Sequence, residues 1–328
     1  MTFTDANKCP ICGPVTATLS FKAIDRLHGI EGEYIYAKCP ICDLLFIVTP
    51  IKKEDISTFY PTSYGPHKSL DNEKEIANIR NGDSHFLRWL NRNAKRFVII
   101  LNHWLKGTKI KRTIYRNLNN SSMVLDVGCG SGKFLSNIRS EKGVQVYGVE
   151  ISKAAVKRGT RIYGLDIIHG ELMDAPFSPK SFDLITAWFS LEHMPDPEKE
   201  ITAMKKLLKD NGNIIIGLPN SKSLNAWLFK DRWYHLDCPR HLHLWNTTSV
   251  NKLLGRHGLE ITSIVFDKTP WGLLGSLQYL LYQNNYLEDR RNKISRNRIL
   301  YILTLPWTIL MGLLRLSDIM IVYCKNKT

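Results

Sequence analysis

The segment VLDVGCGSGKFL, residues 124–135, constrains the fold of this chain more than any other stretch of its sequence. A short apolar run leads into a glycine cluster, and a helix-like stretch follows, as in the anion-binding loops of several unrelated folds. A P-loop requires glycine where this chain has Val127, and serine or threonine where it has Phe134. A dinucleotide fingerprint requires glycine in place of Lys133. Both kinds of site are therefore excluded.

From Ser122 onward, apolar strand-like segments alternate with amphipathic helix-like segments. Two of the helix-like segments, 197–212 and 247–258, end in glycine, a common residue after a helix C-terminus. This alternation predicts an α/β fold in which helices cover both faces of a parallel sheet. The predicted strands are 123–127, 144–150, 166–170, 182–188, 212–220, 259–267 and 319–324.

The glycine segment 126–132 resembles motif I of class I S-adenosylmethionine-dependent methyltransferases, and further matches follow in that family's order. Segments 170–183, 188–197 and 212–220 are similar to the family's adenine-side loop, the loop after its fourth strand, and its fifth strand. The similarity covers roughly residues 122–325. It implies a seven-stranded Rossmann-like sheet whose strand 7 is antiparallel.

The resemblance also implies S-adenosylmethionine as cofactor, with a role for each matching residue. Glycines let the backbone approach the methionyl part closely, and the helix N-terminus behind them favours its carboxylate. Glu150 would accept hydrogen bonds from both ribose hydroxyls, and Glu171 would meet the adenine amino group. The residues implied at the cofactor site are Asp126, Gly128, Gly130, Gly132, Glu150, Ile151, Glu171, Leu172 and Trp188.

Four of the seven cysteines form two CPIC pairs, Cys9 with Cys12 and Cys39 with Cys42. Two such pairs can supply four thiolates to one structural Zn²⁺, which predicts a small zinc-ribbon-like unit. Redox pairs or inert buried thiols are the alternatives, although redox chemistry needs only one CxxC. A cysteine-rich unit ahead of such a domain resembles bacterial enzymes that modify sugars and cell-surface polysaccharides.

These features divide the chain into three parts. Residues 1–56 are predicted to form the zinc-ribbon-like unit, and 57–120 a basic helical connector. Residues 121–328 form the methyltransferase-like domain, which carries a helical insertion at 268–318 before the last strand.

Two places offer groups that could act on a methyl acceptor. Glu192 and His193 follow the fourth strand of the domain, where quinone O-methyltransferases carry a similar E-x-x-E-H metal motif, but Phe189 occupies the first acidic position. The loop 232–246 concentrates tryptophans and histidines near the same sheet edge. The predicted catalytic residues are His241 as base or acceptor contact, His193, and Arg240 as an anchor for an anion or sugar. The alternative for Arg240 is an ion pair with Asp237 that holds the loop.

The net charge of +15 indicates a polyanionic neighbour, such as an anionic membrane or nucleic acid. No secretory signal is evident at the N-terminus, so a cytoplasmic location is expected. The apolar stretch 299–324 is interrupted by Pro306, Arg315 and Asp318, which disfavours a membrane span. Together with the basic run 290–298 it predicts an interfacial helix at an anionic membrane, with a packed lid or dimer face as alternatives.

The sequence therefore predicts a methyltransferase that acts on a sugar, glycan or glycolipid precursor near the inner membrane surface. A quinone or other small-molecule O-methyltransferase is the alternative enzyme. An RNA methyltransferase is less favoured, because the loop after strand four lacks the N/D-P-P-Y/F type of motif. A scaffold that senses the cofactor without catalysis is the alternative outside the enzymes.

Overall fold

The computed structural model of this 328-residue chain describes residues 8–60, 114–282, 294 and 297–327. Most of the predicted basic connector, and most of the basic run 290–298, lie outside the described residues.

A seven-stranded sheet forms the centre of the larger domain. Its strands are β6 Met123–Val127, β7 Gln145–Glu150, β8 Ile167–His169, β9 Phe182–Trp188, β10 Leu208–Pro219, β12 Leu259–Phe266 and β13 Ile319–Asn326. They lie in the order β12-β13-β10-β9-β6-β7-β8. Neighbouring strands are parallel from β10 to β8, whereas β13 runs antiparallel to both β10 and β12. The predicted fold class is confirmed, including the antiparallel last strand.

Seven helices of the described chain accompany the sheet, and most begin at a side chain that caps the helix. Ser152, Asp196 and Asn246 each accept hydrogen bonds from backbone N–H groups of the first turn that would otherwise lack partners. The helices are α1 Lys133–Lys142, α2 Lys153–Tyr163, α3 Pro197–Leu207, α4 Leu224–Phe229, α5 Thr247–Arg256, α6 Trp271–Tyr282 and α7 Arg298–Leu313.

The helix predicted over 197–212 is shorter than expected. It ends at Leu207, and the chain enters β10 at Leu208, which pairs with Phe182 before a register shift. Burial of Leu208 against its strand neighbours outweighs the helix propensity of the lysines around it.

The N-terminal unit shares a sheet with the larger domain. The strands β1 Lys8–Cys9 and β2 Gly13–Pro14 form a hairpin beside the cysteines, while β3 Thr18–Ala23, β4 Tyr34–Lys38 and β5 Leu45–Ile47 form an antiparallel sheet. The fourth strand of that sheet, β11 His243–Leu244, comes from the loop 232–246 and pairs with β5. The N-terminal unit is thus fixed to the loop that carries the predicted acceptor residues.

The helices α6 and α7 form the insertion before β13, as predicted. Their contact is built around Leu274, Tyr301 and Leu305. The opposite side of α7 exposes an apolar stripe at the spacing of one helix face: Ile299, Ile302, Leu303, Trp307, Leu310 and Leu313. Among the residues that the structure describes, none of the helices has the length and apolar character needed to cross a bilayer.

Candidate active site

A cleft of about 1780 Å³ opens at the carboxyl ends of β6, β7 and β9. Ligands of parallel α/β sheets bind at this edge, because the loops that follow the strands meet there. A single small-molecule site usually occupies about 300–1,000 Å³, so this cleft has room for two ligands side by side. Its walls come from the glycine loop on one side and from the loops around residues 189–200 and 234–241 on the other.

The glycine loop requires glycine for two different reasons. Gly128, Gly130 and Gly132 all have positive φ, at 69°, 55° and 72°, a region that side chains disfavour. A Cβ on Gly128 would lie 2.6 Å from Cβ of Ser190, and one on Gly132 would collide with Leu165, so both sites are also sterically closed. A Cβ on Gly130 would meet nothing within 4 Å. Gly130 lines the cleft, so the backbone there is open to a ligand.

Glu150 ends β7 and faces this loop. One carboxylate oxygen accepts the N–H of Gly130 at 2.8 Å, and the other accepts the N–H of Ser152 at 2.7 Å. Each oxygen retains a further lone pair, so the carboxylate can still accept two hydroxyl hydrogen bonds from a ligand in the cleft. This geometry fits the ribose of S-adenosylmethionine, the role that the resemblance implies.

The other implied cofactor residues divide into two groups. Four of them line the cleft, as expected of residues that contact the cofactor: Ile151, Glu171, Leu172 and Trp188. Asp126 does not line it, since its side chain is buried and accepts the hydroxyl of Thr186 at 2.7 Å. Burial raises the pKa of Asp126 to about 7.

Asp126 and Gly132 thus shape the cofactor half without lining its cleft. Asp126 joins β6 to β9 below the loop, and Gly132 begins α1 and allows close packing against Leu165. Both act on the position of the loop rather than on a ligand.

On the opposite wall, Glu192, His193 and His241 converge. The donor atoms of these three side chains lie within 4.8 Å of one another, and the two imidazole rings make an edge contact at 4.6 Å between centroids. The strand β10, the helices α3 and α4 and a loop separate His193 from His241 along the chain, yet the structure brings the two predicted catalytic histidines together.

The charge states of this cluster follow from burial. Glu192 is fully buried, and neither carboxylate oxygen has a hydrogen-bond partner from another described residue. Its pKa rises to about 8, chiefly because burial disfavours the charged form. Burial lowers the pKa of His241 to about 3, so that ring is neutral near pH 7.

Arg240 has a different role from the one predicted. Its fully buried guanidinium donates to both oxygens of Asp25, at 2.7 and 2.8 Å, and to Asp237 at 2.7 Å. A guanidinium enclosed by protein carboxylates cannot reach an acceptor in the cleft. The predicted anchor for an anion or sugar is therefore corrected to a structural tie between the N-terminal unit and the acceptor loop, as in the ion-pair alternative.

Sequence analysis missed the residues of the N-terminal unit, and of the start of the connector, that contact this wall. Besides Asp25, the hydroxyl of Tyr36 donates to the backbone oxygen of His241 at 2.7 Å, and the hydroxyl of Tyr60 lies 3.1 Å from Nδ1 of His193. These residues carry no local motif. Only the pairing of β11 with β5, which joins segments about 200 residues apart, brings them to the site.

The two CPIC pairs form one cluster in the N-terminal unit, and Cys9 lies between Lys8 and Pro10, which line the cleft. Their four sulfurs lie within 4.8 Å of one another, and the Cys9 and Cys42 sulfurs are 3.7 Å apart. Three of the cysteines are buried, with Cys12 partly exposed. Four converging thiols are the donor set of a structural zinc knuckle, and the cluster fits one.

Comparison with known proteins places this chain in a family. The sequence profile of a family described as a methyltransferase domain matches residues 101–264, which are 164 of the 328 residues. The chain belongs to this family. Its sheet order and its cofactor half are those of class I S-adenosylmethionine-dependent methyltransferases, so the resemblance noted from the sequence is confirmed for the family and the fold.

Two curated relatives each match about a third of this chain. A ubiquinone biosynthesis O-methyltransferase of Idiomarina loihiensis is 37% identical over 114 residues, 32% of this chain and 45% of that protein. A demethylmenaquinone methyltransferase of Staphylococcus epidermidis is 31% identical over 127 residues, 35% of this chain and 52% of that protein. The chain thus spans about half the length of the curated relatives that it matches.

A solved structure extends the likeness of the fold beyond that domain. The geranyl diphosphate C-methyltransferase of Streptomyces coelicolor, solved with Mg²⁺, geranyl diphosphate and S-adenosyl-L-homocysteine, matches with a TM-score of 0.51 and 15% identity. The match covers 85% of this chain and all of the other. At this identity the likeness shows the fold alone.

Proposed function

We propose that this chain transfers a methyl group from S-adenosylmethionine to a hydroxyl oxygen of an amphiphilic small molecule. One observation carries the proposal: Glu150 and the open Gly130 backbone line the same cleft as the Glu192, His193 and His241 cluster. A cofactor on the first wall and an acceptor on the second would meet inside one enclosure. The rate then depends mainly on alignment and on exclusion of water.

The chain's own residues divide the work between the two walls. The cofactor supplies an activated methyl carbon when it is bound. Glu150 and the glycine loop hold the ribose and the methionyl part, while Trp188 lines the same cleft. On the acceptor wall, Nε2 of neutral His241 carries a lone pair, which favours a group that donates, such as a hydroxyl.

The hydroxyl proton must leave as the new carbon–oxygen bond forms. Glu192, His193 and His241 together are the proton acceptor in this proposal, and they are treated as one coupled unit. Burial raises the pKa of Glu192 to about 8, so its carboxylate, the form that accepts a proton, becomes populated as the pH rises toward that value.

The choice of an amphiphilic acceptor has two supports. The two curated relatives are named a ubiquinone biosynthesis O-methyltransferase and a demethylmenaquinone methyltransferase, so both names refer to quinones. The insertion beside the acceptor loop exposes the apolar stripe of α7, and Arg315 at its end is also exposed. A glycolipid shares this chemistry, a hydroxylated head on an apolar tail, so the glycan-type acceptor predicted from the sequence remains a candidate beside a quinol precursor.

Binding and turnover test the proposal separately. Calorimetry with S-adenosylhomocysteine should show that Glu150→Ala weakens affinity about tenfold or more, through loss of charge-assisted hydrogen bonds. The matched control is Glu260→Ala, which removes a glutamate from an edge strand away from the cleft. Unchanged affinity in Glu150→Ala would overturn the cofactor assignment.

Turnover should be measured with labelled S-adenosylmethionine and two acceptors, a polyprenylated dihydroxybenzene and a polyprenyl-linked sugar. Label on the ring hydroxyl supports the quinol-type acceptor, and label on the sugar supports the glycolipid. A protein that binds S-adenosylhomocysteine but labels neither acceptor would contradict the proposed acceptor chemistry.

A further inference from the structure

The acceptor wall gathers three metal-type donors at one point. A carboxylate from the turn after β9, the imidazole beside it and an imidazole from the loop 232–246 converge within 4.8 Å. Two of the three, Glu192 and His241, are buried. The carboxylate oxygens of Glu192 have no hydrogen-bond partner from another described residue, although buried carboxylates in proteins are nearly always paired.

The imidazole of His241 is held so that Nε2 faces this cluster, 3.9 Å from a carboxylate oxygen of Glu192. Its Nδ1 lies 2.9 Å from the backbone oxygen of His235. A carbonyl oxygen only accepts hydrogen bonds, so Nδ1 of the neutral ring carries the proton and Nε2 carries the lone pair. Nδ1 of His193 lies 3.0 Å from the backbone oxygen of Arg240 and 3.1 Å from the hydroxyl of Tyr60. Histidines that bind metals are oriented in this way, by donation of the other ring N–H to a carbonyl or carboxylate.

The charges around the cluster also leave room for a cation. Asp25 and Asp237 share one guanidinium, that of Arg240, which leaves one uncompensated negative charge, and Glu192 would add a second once a bound cation displaces its proton. Nε2 of His241 lies 3.9 Å from Glu192 and 3.8 Å from Asp237, so the excess of negative charge faces the imidazoles.

We propose that Glu192, His193 and His241 bind one divalent transition-metal ion. Two imidazole nitrogens and one carboxylate oxygen suit ions such as Mn²⁺, Fe²⁺, Co²⁺ or Zn²⁺ better than Mg²⁺ or Ca²⁺, which prefer oxygen ligands alone. The ligand set differs from the E-x-x-E-H pattern, because Phe189 stands at its first acidic position and has a 42% exposed side chain. His241, which comes from a loop that no motif connects to that turn, supplies the third donor instead.

The three donor atoms need to move only a short distance to bind one ion. Bonds of about 2.0 Å in a tetrahedral site put neighbouring donors about 3.3 Å apart. Donors that now lie up to 4.8 Å apart would each move by less than about an ångström, which side-chain rotation provides. Three protein ligands leave a further position open to a ligand in the cleft, as in catalytic rather than structural sites.

The effect of the ion on catalysis rests on the proposed function. An acceptor hydroxyl that occupies the open position would bind through its oxygen, and its O–H bond would ionise more readily because the cation stabilises the alkoxide. The proton would leave to solvent, the oxygen lone pair would attack the methyl carbon, and the carbon–sulfur bond would break, which releases S-adenosylhomocysteine. The ion would take over the part that the three side chains play as proton acceptor in its absence.

Binding of Mn²⁺ to the full-length protein tests the site without any need for turnover. Thiolates favour softer ions, so Mn²⁺ reports the nitrogen–oxygen site while zinc remains in the knuckle. Electron paramagnetic resonance of free Mn²⁺ during a titration gives stoichiometry and affinity. The variants are Glu192→Gln and His241→Gln, with His257→Gln as the control, since His257 pairs with Glu198 outside the cluster.

We expect about one Mn²⁺ per chain in the wild type and in His257→Gln, and at least tenfold weaker binding in Glu192→Gln and His241→Gln. Thermal unfolding and S-adenosylhomocysteine affinity establish that each variant is folded. Absence of Mn²⁺ binding in the folded wild type, or equal binding in the cluster variants, would overturn the metal site. Neither result would touch the proposed methyl transfer, which fails only if S-adenosylhomocysteine does not bind or no acceptor is labelled.

Discussion

The two walls of the cleft are built in different ways. The cofactor wall comes from neighbouring strands: the loop after β6 meets Glu150 at the end of β7, twenty residues along the chain. The acceptor wall depends on contacts that span most of the sequence, such as Arg240 with Asp25, 215 residues apart, and the Tyr36 hydroxyl with the backbone of His241, 205 residues apart.

The difference assigns a function to the N-terminal unit. Cys9 lies between Lys8 and Pro10, which line the cleft, and the strands of the unit pair with β11. Tyr36 of the unit and Tyr60 just after it contact the two predicted catalytic histidines. The unit therefore contacts the acceptor wall, whereas Glu150 of the cofactor wall is held by Gly130 and Ser152 of the larger domain. Substitutions that destabilise the unit should lower methyl transfer and leave the affinity for S-adenosylhomocysteine unchanged.

The largest effect should come from Arg240→Leu. This change leaves Asp25 and Asp237 buried without their cation, and breaking a buried ion pair costs about 3–5 kcal/mol of stability. Urea unfolding of the full chain measures the loss. Lys180→Ala, which removes one partner of an exposed pair with Asp210, is the control and should unfold like the wild type. A change in Arg240→Leu no larger than that of the control would show that the tie between the two units contributes little.

Cys39→Ser should impair the acceptor wall and leave the cofactor wall intact. We expect elemental analysis to find about one zinc per chain in the wild type and less in the variant, because one of four thiolates is lost. Loss of the metal destabilises the N-terminal unit, so methyl transfer should fall steeply while affinity for S-adenosylhomocysteine stays within about threefold, or roughly 0.6 kcal/mol. The control is Cys324→Ser, in β13, away from the cluster. A parallel fall in cofactor affinity and turnover would mean that the two walls are not independent.

Tyr60→Phe should have a smaller effect on the acceptor wall and likewise none on the cofactor wall. The change removes the hydroxyl beside Nδ1 of His193 and keeps the ring, so the loss should be about 1 kcal/mol or less, the net worth of one hydrogen bond. We expect kcat to fall several-fold with cofactor affinity unchanged. Tyr163→Phe, on α2 behind the cofactor wall, is the matched control. A fall in S-adenosylhomocysteine affinity would contradict a role confined to the acceptor wall.

The contrast between the walls also explains what could be predicted from sequence. Parallel strands that follow one another place their carboxyl ends at one edge, so the position of Glu150 beside the glycine loop follows from the order of the strands. The fold and the cofactor wall were therefore accessible to local pattern and family resemblance. The antiparallel place of β13 was predicted from the same topology.

The acceptor wall was accessible only in part. The concentration of tryptophans and histidines in the loop 232–246 predicted a functional role for it. The pairing of this loop with β5, however, depends on packing between segments about 200 residues apart, which leaves no periodic signal in the sequence. The true role of Arg240 and the unpaired state of Glu192 both follow from that packing. The same limit explains the helix over 197–212, whose early end at Leu207 is set by tertiary burial of Leu208.

The smallest expected effect concerns the surface next to the acceptor wall. The helix α6 packs on the turn Tyr234–Leu236 of the acceptor loop, where the hydroxyl of Ser276 accepts the N–H of Tyr234 at 2.9 Å, and α7 packs on α6. We propose that the exposed stripe of α7 lies on an anionic membrane, because a chain with a net charge of +15 is attracted to such a surface and repels a second copy of itself. The bilayer would then adjoin the acceptor wall and not the cofactor wall.

Flotation with vesicles that contain an anionic lipid tests this placement. Each cation near the surface contributes about 1 kcal/mol, and salt screens that attraction, so binding at low salt should be reversed at high salt. Leu303→Gln, which replaces a 68% exposed leucine of α7, should weaken vesicle binding about threefold or more. The matched control is Leu19→Gln, a 65% exposed leucine on β3 of the N-terminal unit, which should bind as the wild type does. Equal weakening in both variants would show that exposed apolar area acts without regard to position, and binding that survives high salt would rule out an electrostatic, peripheral contact.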